Sequence, residues 1–206
     1  MGIFSNRTNW HALRIAILIF ITTGAFTPNA AISQTITLNT GDDIQATVDV
    51  AVSGTTIELN AGTYAITQQI VIPHGKDLTI KGVGGQAIIQ QTGTNQRVIS
   101  VGTTPGGLSS HLTLEHITVT GGNVSGSGGG IMVYRHSGLT LIDGTVSGNT
   151  ATGTGGGIHI GDGIAGTGKL WLINSNLIGN TSGSYGGGAY LGITNQFLMY
   201  GGEVRD

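Results

Sequence analysis

Apolar and polar residues alternate along most of the chain in short segments that favour β-strands. Between residues 55 and 101 these segments are TTIEL, TYAIT, QQIVIP, LTIKG, AIIQQ and RVISV, separated by Gly, Pro, Asn and His. A period of two places successive side chains on opposite faces of a strand, and Gly, Pro and Asn are typical of turns. This part of the chain therefore predicts roughly two irregular coils of short strands.

A longer pattern then repeats three times. The segments are HLTLEHITVTGGNVSGSGGGIMV, GLTLIDGTVSGNTATGTGGGIHI and KLWLINSNLIGNTSGSYGGGAYL. Their leading leucines, Leu112, Leu139 and Leu170, are 27 and 31 positions apart, and the triplets that end at Gly130, Gly157 and Gly188 keep the same steps. A unit of this length cannot bury its own apolar face, so it must stack on its neighbours, as in a solenoid.

Stacking in register assigns a position to each residue of the repeat. We predict one inward column of Ile131, Ile158 and Ala189, a second inward column of Val133, Ile160 and Leu191, and an outward column of Met132, His159 and Tyr190. At the glycine-rich corner we predict a structural turn ladder of Asn123, Asn149, Asn180, Gly130, Gly157 and Gly188. The triplets NVS and NTS fit a glycosylation pattern, but their asparagines are already explained by this turn.

The segment DDIQATVDVAV, residues 42 to 52, has a helical rather than a strand period. Ile44, Val48 and Val52 are four residues apart, and Asp42 and Asp43 precede them. We expect a short helix that caps the open end of the first coil.

The first 33 residues have the layout of a secretory signal. Arg7, His11 and Arg14 precede the apolar run of residues 15 to 26, which is followed by small residues. The run is shorter than the roughly 18 to 20 residues of a membrane span. We predict cleavage after Ser33 and a β-helix domain of residues 34 to 206; an uncleaved interfacial anchor is the alternative. The protein is thus expected to be secreted or held at the cell surface or outer membrane.

Composition narrows the classes of partner. The chain has 38 glycines in 206 residues, 9% charged residues, no cysteine and a net charge of −2. This composition is typical of a turn-rich β protein, excludes a disulfide frame and offers no basic surface for nucleic acid. Membrane contact is expected only through the signal segment or a missing C-terminal anchor.

The segment from DDIQATVDVAV to LTIKGVGGQAII resembles the opening of right-handed parallel β-helix proteins with the pectin-lyase-like fold. The SGNTATGTGGGIHI units are similar to repeats of polymorphic outer-membrane proteins and other bacterial surface β-helices. The resemblance covers residues 35 to 206 and implies an all-β, right-handed parallel β-helix of roughly five to six coils. It leaves activity open, because this fold hosts lyases, hydrolases, adhesins and scaffolds.

Two glycine-rich stretches match nucleotide-binding patterns in part. GDGIAG, residues 161 to 166, fits G-x-G-x-x-G, and GIAGTGKL, residues 163 to 170, is close to a P-loop. Both patterns need a helix to follow, whereas the strand KLWLIN follows here. We therefore expect an insertion at a corner, and no cofactor.

Candidate chemistry is sparse. The weak surface-site candidates are Arg135, His136, His159 and Asp162, with His159 expected on the solvated surface. No two acidic residues after Leu112 occupy the same position of the repeat in neighbouring coils. Neither a clustered-acid calcium site nor the carboxylate pair of a hydrolase is therefore indicated. We predict no catalytic or metal-binding residues.

The expected function is that of an exported, non-catalytic adhesin or carbohydrate-binding scaffold whose partners are polysaccharides or host and cell-surface glycans. Outward aromatics among Trp171, Tyr185 and Tyr190 are candidates to stack on sugar rings, and scattered surface aromatics without a ligand are the alternative. A polysaccharide lyase or glycoside hydrolase is the alternative, and a purely structural stalk is the third. Another coil begins at Phe197, so we expect a C-terminally incomplete chain or an end that pairs with another molecule.

Overall fold

The computed structural model describes residues 34–102, 108–161 and 166–205. Parallel strands stack into a β-solenoid of about five coils, with one short helix near the N-terminus. The predicted all-β parallel β-helix fold is therefore confirmed. The predicted signal segment lies outside the described residues.

The helix α1 spans Ile44–Val50. The strands in chain order are β1 (Thr35–Leu38), β2 (Thr56–Ile66), β3 (Ile70–Ile72), β4 (Asp77–Gln91), β5 (Ile99–Val101), β6 (His111–Glu115), β7 (Ile117–Thr120), β8 (Asn123–Val124), β9 (Ile131–Val133), β10 (Gly138–Ile142), β11 (Thr145–Ser147), β12 (Thr150–Ala151), β13 (Ile158–Ile160), β14 (Lys169–Ile178), β15 (Thr181–Ser182), β16 (Ala189–Leu191) and β17 (Gln196–Arg205).

Within the described residues these strands form three sheets. The bent sheet contains β1, β2, β4, β6, β7, β10, β11, β14 and β17. Its first arm holds β1, β6, β10 and the beginnings of β2, β4, β14 and β17, and its second arm holds β7, β11 and the ends of the same long strands. The five-stranded sheet is β3, β5, β9, β13 and β16, and the three-stranded sheet is β8, β12 and β15.

The core is built from columns of inward side chains that lie above one another in successive coils. One column of the first arm contains Ile57, Ile80, Leu114, Leu141 and Leu172, all fully buried. Burial of each such side chain contributes about 1.5–3 kcal/mol to folding. In the five-stranded sheet, β9, β13 and β16 pair in the predicted register, so both predicted inward columns are confirmed.

The first coil is closed by α1, as the helical period predicted. The Asp43 carboxylate accepts a hydrogen bond from the Ala46 backbone N–H at 3.0 Å, which is a typical N-cap. The Gln45 side chain accepts from the Val71 N–H at 2.7 Å and donates to the Val71 carbonyl at 3.3 Å, so it substitutes for a neighbouring strand at the edge formed by β3. The expected apolar stripe ends earlier than predicted, because Val52 lies beyond the helix and is exposed.

The three glycine triplets lie above one another at the corner between the three-stranded and five-stranded sheets. The Gly130 N–H donates to the Gly156 carbonyl at 3.0 Å, and the Gly157 N–H donates to the Gly187 carbonyl at 2.9 Å. A Cβ atom at Gly157 would collide with the Gly188 carbonyl oxygen and lie 3.0 Å from the Asn180 amide. Glycine is therefore required here because the backbones of successive coils approach so closely.

Candidate functional site

The asparagine ladder joins two of the three predicted residues. The Asn149 side-chain amide donates to Asn180 Oδ1 at 3.0 Å and to the Val119 carbonyl at 3.2 Å. Asn149 Oδ1 accepts from the Gly122 N–H at 2.9 Å, and Asn180 Nδ2 donates to the Val146 carbonyl at 2.8 Å. Both side chains are almost completely buried, so each satisfies backbone groups that would otherwise lack partners.

Asn123 does not belong to this ladder, which corrects the alignment made from the sequence. Asn123 pairs with Thr150, so the residue in register with Asn149 is Gly122, and the Asn123 side chain is exposed. Asn123 follows its leading leucine by eleven positions, whereas Asn149 and Asn180 follow theirs by ten. This extra residue moves the asparagine from the inside of the corner to the outside, because alternate residues of a strand face opposite ways.

The four weak surface-site candidates lie in separate settings. Arg135 and His136 occupy the turn between β9 and β10, where His136 is exposed and has a φ of 62°. His159 lies in β13, and Asp162 lies outside the described residues. The structure therefore describes no acid–base pair of His159 and Asp162.

His159 is buried rather than solvated, which corrects the expectation from the sequence. Its outward side chain is 7% exposed, because its Nδ1 hydrogen-bonds to Thr154 Oγ1 at 2.8 Å and its ring stacks on Tyr190 with centroids 5.1 Å apart. Met132, which precedes it in the same outward column, is also buried.

The outward face of the first arm changes in character along the solenoid. One outward row contains Thr35, Thr56, Thr79, Thr113 and Thr140 and continues with Trp171 and Leu198. The next row changes from Glu58, Lys81 and Glu115 to Ile142, Ile173 and Tyr200. A polar, charged surface thus gives way to an apolar surface that includes the Trp171 ring, which is 38% exposed.

A cleft of about 290 Å³ borders this surface where the first arm begins. Asp77, His111, His136 and Lys169 contribute ionisable groups to it, and Ser137 lies among several hydroxyl-bearing residues that line it. The Ser137 hydroxyl is buried and has no hydrogen-bond partner within the described ranges. The cleft thus combines donors and acceptors beside an aromatic ring, which is the usual composition of a site for a small polar ligand.

His111 connects the cleft to Trp171. Its Nε2 hydrogen-bonds to Thr140 Oγ1 at 2.8 Å, and its ring meets the Trp171 ring edge-on with centroids 6.4 Å apart. The imidazole occupies the space next to Gly138, where a Cβ atom would collide with Nδ1. Burial lowers the pKa of His111, while the Asp77 carboxylate acts in the opposite direction and Lys169 adds to the lowering.

Alignment of the repeat could have revealed this site. Asp77, His111, Gly138 and Lys169 all occupy the first position of their strands in the first arm, directly before the inward leucines. That position faces outward in each of these coils. A different residue type in each coil therefore indicates that the position is not constrained by stacking and is free to form a surface site. The sequence could not reveal the His111–Trp171 contact, because the two residues lie on strands separated by β10.

A second cleft of about 420 Å³ lies at the bend between the two arms. It is bounded by Gly84 and Gln86 on one side and by His116 and Asp143 on the other. Lys81 and Glu115, on the adjoining first arm, form an ion pair at 2.9 Å, and this pair raises the pKa of Lys81. Among the described residues that line this cleft there is no Trp, Tyr or Phe, in contrast to the cleft beside Trp171.

Comparisons with protein-family models, curated proteins and solved structures find no match for this chain. In the part of the chain that the structure describes, no three His, Asp or Glu side chains are grouped so that they could hold a metal ion. Nor does any helix in that part have the length and apolar character needed to cross a membrane.

Proposed function

We propose that the chain is an exported, non-catalytic β-helix protein that acts as an adhesin or carbohydrate-binding scaffold at the surface or outside the cell. The observation that carries the proposal is the exposed Trp171 ring on the outward face of the first arm, beside the cleft that contains His111 and Lys169. We also propose, from the motifs of residues 35 to 206, that the fold belongs with the pectin-lyase-like and bacterial surface β-helices.

The Trp171 ring is suited to a sugar because it offers an apolar face next to polar groups. The C–H face of a pyranose packs on an indole, and its hydroxyl groups need donors and acceptors nearby. Asp77 supplies an acceptor and Lys169 a donor. The parallel strands beneath hold these groups on a rigid support, so little conformational entropy is lost on binding.

The experiment that tests this proposal is a glycan-array screen of the full chain, followed by titration of the best ligand against two variants. We expect Trp171→Ala to weaken binding about tenfold, which corresponds to the loss of about 1.4 kcal/mol. Tyr185→Ala is the matched control, because Tyr185 is an exposed aromatic residue in a turn outside the first arm. An array without ligands, or equal losses in both variants, would contradict the proposal.

Catalysis is tested separately with depolymerisation assays on uronate-containing polymers. We expect no turnover. Robust turnover that is lost in Asp162→Ala would overturn the non-catalytic proposal and favour a lyase or hydrolase.

A further inference from the structure

Two N-x-S triplets of the described chain have very different surroundings. They are Asn123-Val124-Ser125 and Asn180-Thr181-Ser182. A third triplet with the N-x-[S/T] pattern begins at Asn6, in the predicted signal and outside the described residues. Because both described triplets end in serine, the local peptide signal for an N-glycosylating enzyme is similar, and the folded surroundings distinguish them.

The Asn180 side chain is not accessible to a glycosylating enzyme in the folded chain. Its side chain is 3% exposed, its Nδ2 donates to the Val146 carbonyl at 2.8 Å, and its Oδ1 accepts from the Asn149 side chain at 3.0 Å. The Asn180 amide also lies 3.0 Å from the position that a Cβ atom of Gly157 would occupy. A sugar on Nδ2 would have to displace the neighbouring coil.

The Asn123 side chain, in contrast, is accessible to such an enzyme because it is exposed. The extra residue before it turns its side chain outward, and none of the described hydrogen bonds involves that side chain. Its backbone N–H donates to the Gln96 carbonyl at 2.9 Å, and the Ser125 N–H donates to Asn95 Oδ1 at 2.6 Å. The backbone of the triplet is thus held in place, while Asn123 and Ser125 are both exposed.

We propose that Asn123 is a site of N-linked glycosylation in the folded chain and that Asn180 is not. The Asn123 amide nitrogen forms a bond to the anomeric carbon of a diphosphate-activated sugar, while the bond between that carbon and the diphosphate oxygen breaks. The amide loses one proton, the diphosphate leaves with the bonding electron pair, and nothing is oxidised or reduced. The ladder function that accounts for Asn180 does not account for Asn123.

The test compares the folded and the unfolded full chain as acceptors. The unmodified protein, produced in a bacterial cytoplasm without N-glycosylation, is incubated with a soluble N-glycosyltransferase that recognises N-x-[S/T] and with its nucleotide-diphosphate sugar. Peptide mass mapping then gives the occupancy of each asparagine. We expect the folded chain to carry a hexose at Asn123 and none at Asn180, and the urea-unfolded chain, diluted into the reaction, to carry one at both.

Asn123→Gln is the control variant, and it should abolish modification of its peptide without changing the melting temperature. Modification of Asn180 in the folded chain to the same extent as Asn123 would overturn the proposal. So would an unmodified Asn123 in the folded chain, whether or not the unfolded chain is modified. These outcomes are independent of sugar binding at Trp171, because Asn123 lies in the three-stranded sheet and not in the bent sheet.

Discussion

The glycine–asparagine corner and the outward face of the first arm belong to the same coils but are constrained differently. At the corner, Asn149 hydrogen-bonds to the coil before and the coil after it, and Gly157 leaves no room for a side chain. On the outward face, strands in perfect register carry Thr113, Thr140 and Trp171 at the same position. Stacking therefore determines the inside and the corner of each coil, and it leaves the outward positions free to differ and to acquire a function.

The largest effect that would test this contrast is expected from Asn149→Ala. The change removes an amide that satisfies the Gly122 N–H and the Val119 carbonyl and that donates to Asn180, so buried polar groups lose their partners. We expect a loss of about 3 kcal/mol in the free energy of unfolding, measured by chemical denaturation and by the melting temperature. Asn123→Ala is the matched control and should change stability by less than about 0.5 kcal/mol. Equal losses in the two variants would show that the ladder does not stabilise the stacked coils.

A somewhat smaller loss is expected from Gly157→Ala. The added methyl group would meet the Gly188 carbonyl oxygen and the Asn180 amide, so the two coils must move apart. Overpacking of this kind costs about 1–3 kcal/mol. In Gly192→Ala the nearest atoms would be at ordinary contact distances of 3.4 and 3.5 Å, so that variant should melt as the unchanged protein does. The close approach at the corner would be refuted by a Gly157→Ala protein of undiminished stability.

The smallest effect concerns the outward face and depends on pH. Because burial lowers the pKa of His111, the unfolded chain binds the His111 proton more readily than the folded chain does. The stability associated with His111 is therefore fully present above the unfolded pKa of about 6.5 and is lost as the pH falls through that value toward the folded pKa. We expect the melting temperature of the unchanged protein to fall more than that of His111→Gln between about pH 8 and about pH 5, roughly 1.5 units on either side of 6.5. A constant difference between the two proteins across this range would contradict the burial of the imidazole.

Several features of the fold could be predicted from residues near one another in sequence. The inward columns follow from alternation, and the capping helix follows from the period of Ile44 and Val48. The prediction for Asn123 is wrong because it ignores the extra residue between Leu112 and Asn123. The prediction of a solvated His159 is wrong for a different reason. Alternation indicates the direction of a side chain, but it does not show that Tyr190 and Thr154 cover the imidazole.

The sequence by itself determined the stacking of this protein, since a repeat that cannot bury its own apolar face has to lie on a copy of itself. The tertiary structure decided which outward residues meet. Only the parallel register brings His111 and Trp171 together across Gly138 and Thr140. The pairing of Asn123 with Thr150 leaves Asn123 exposed, whereas Asn180 is buried. The physical reason is that hydrophobic alternation acts within one strand, whereas exposure and side-chain contacts depend on the neighbouring coils.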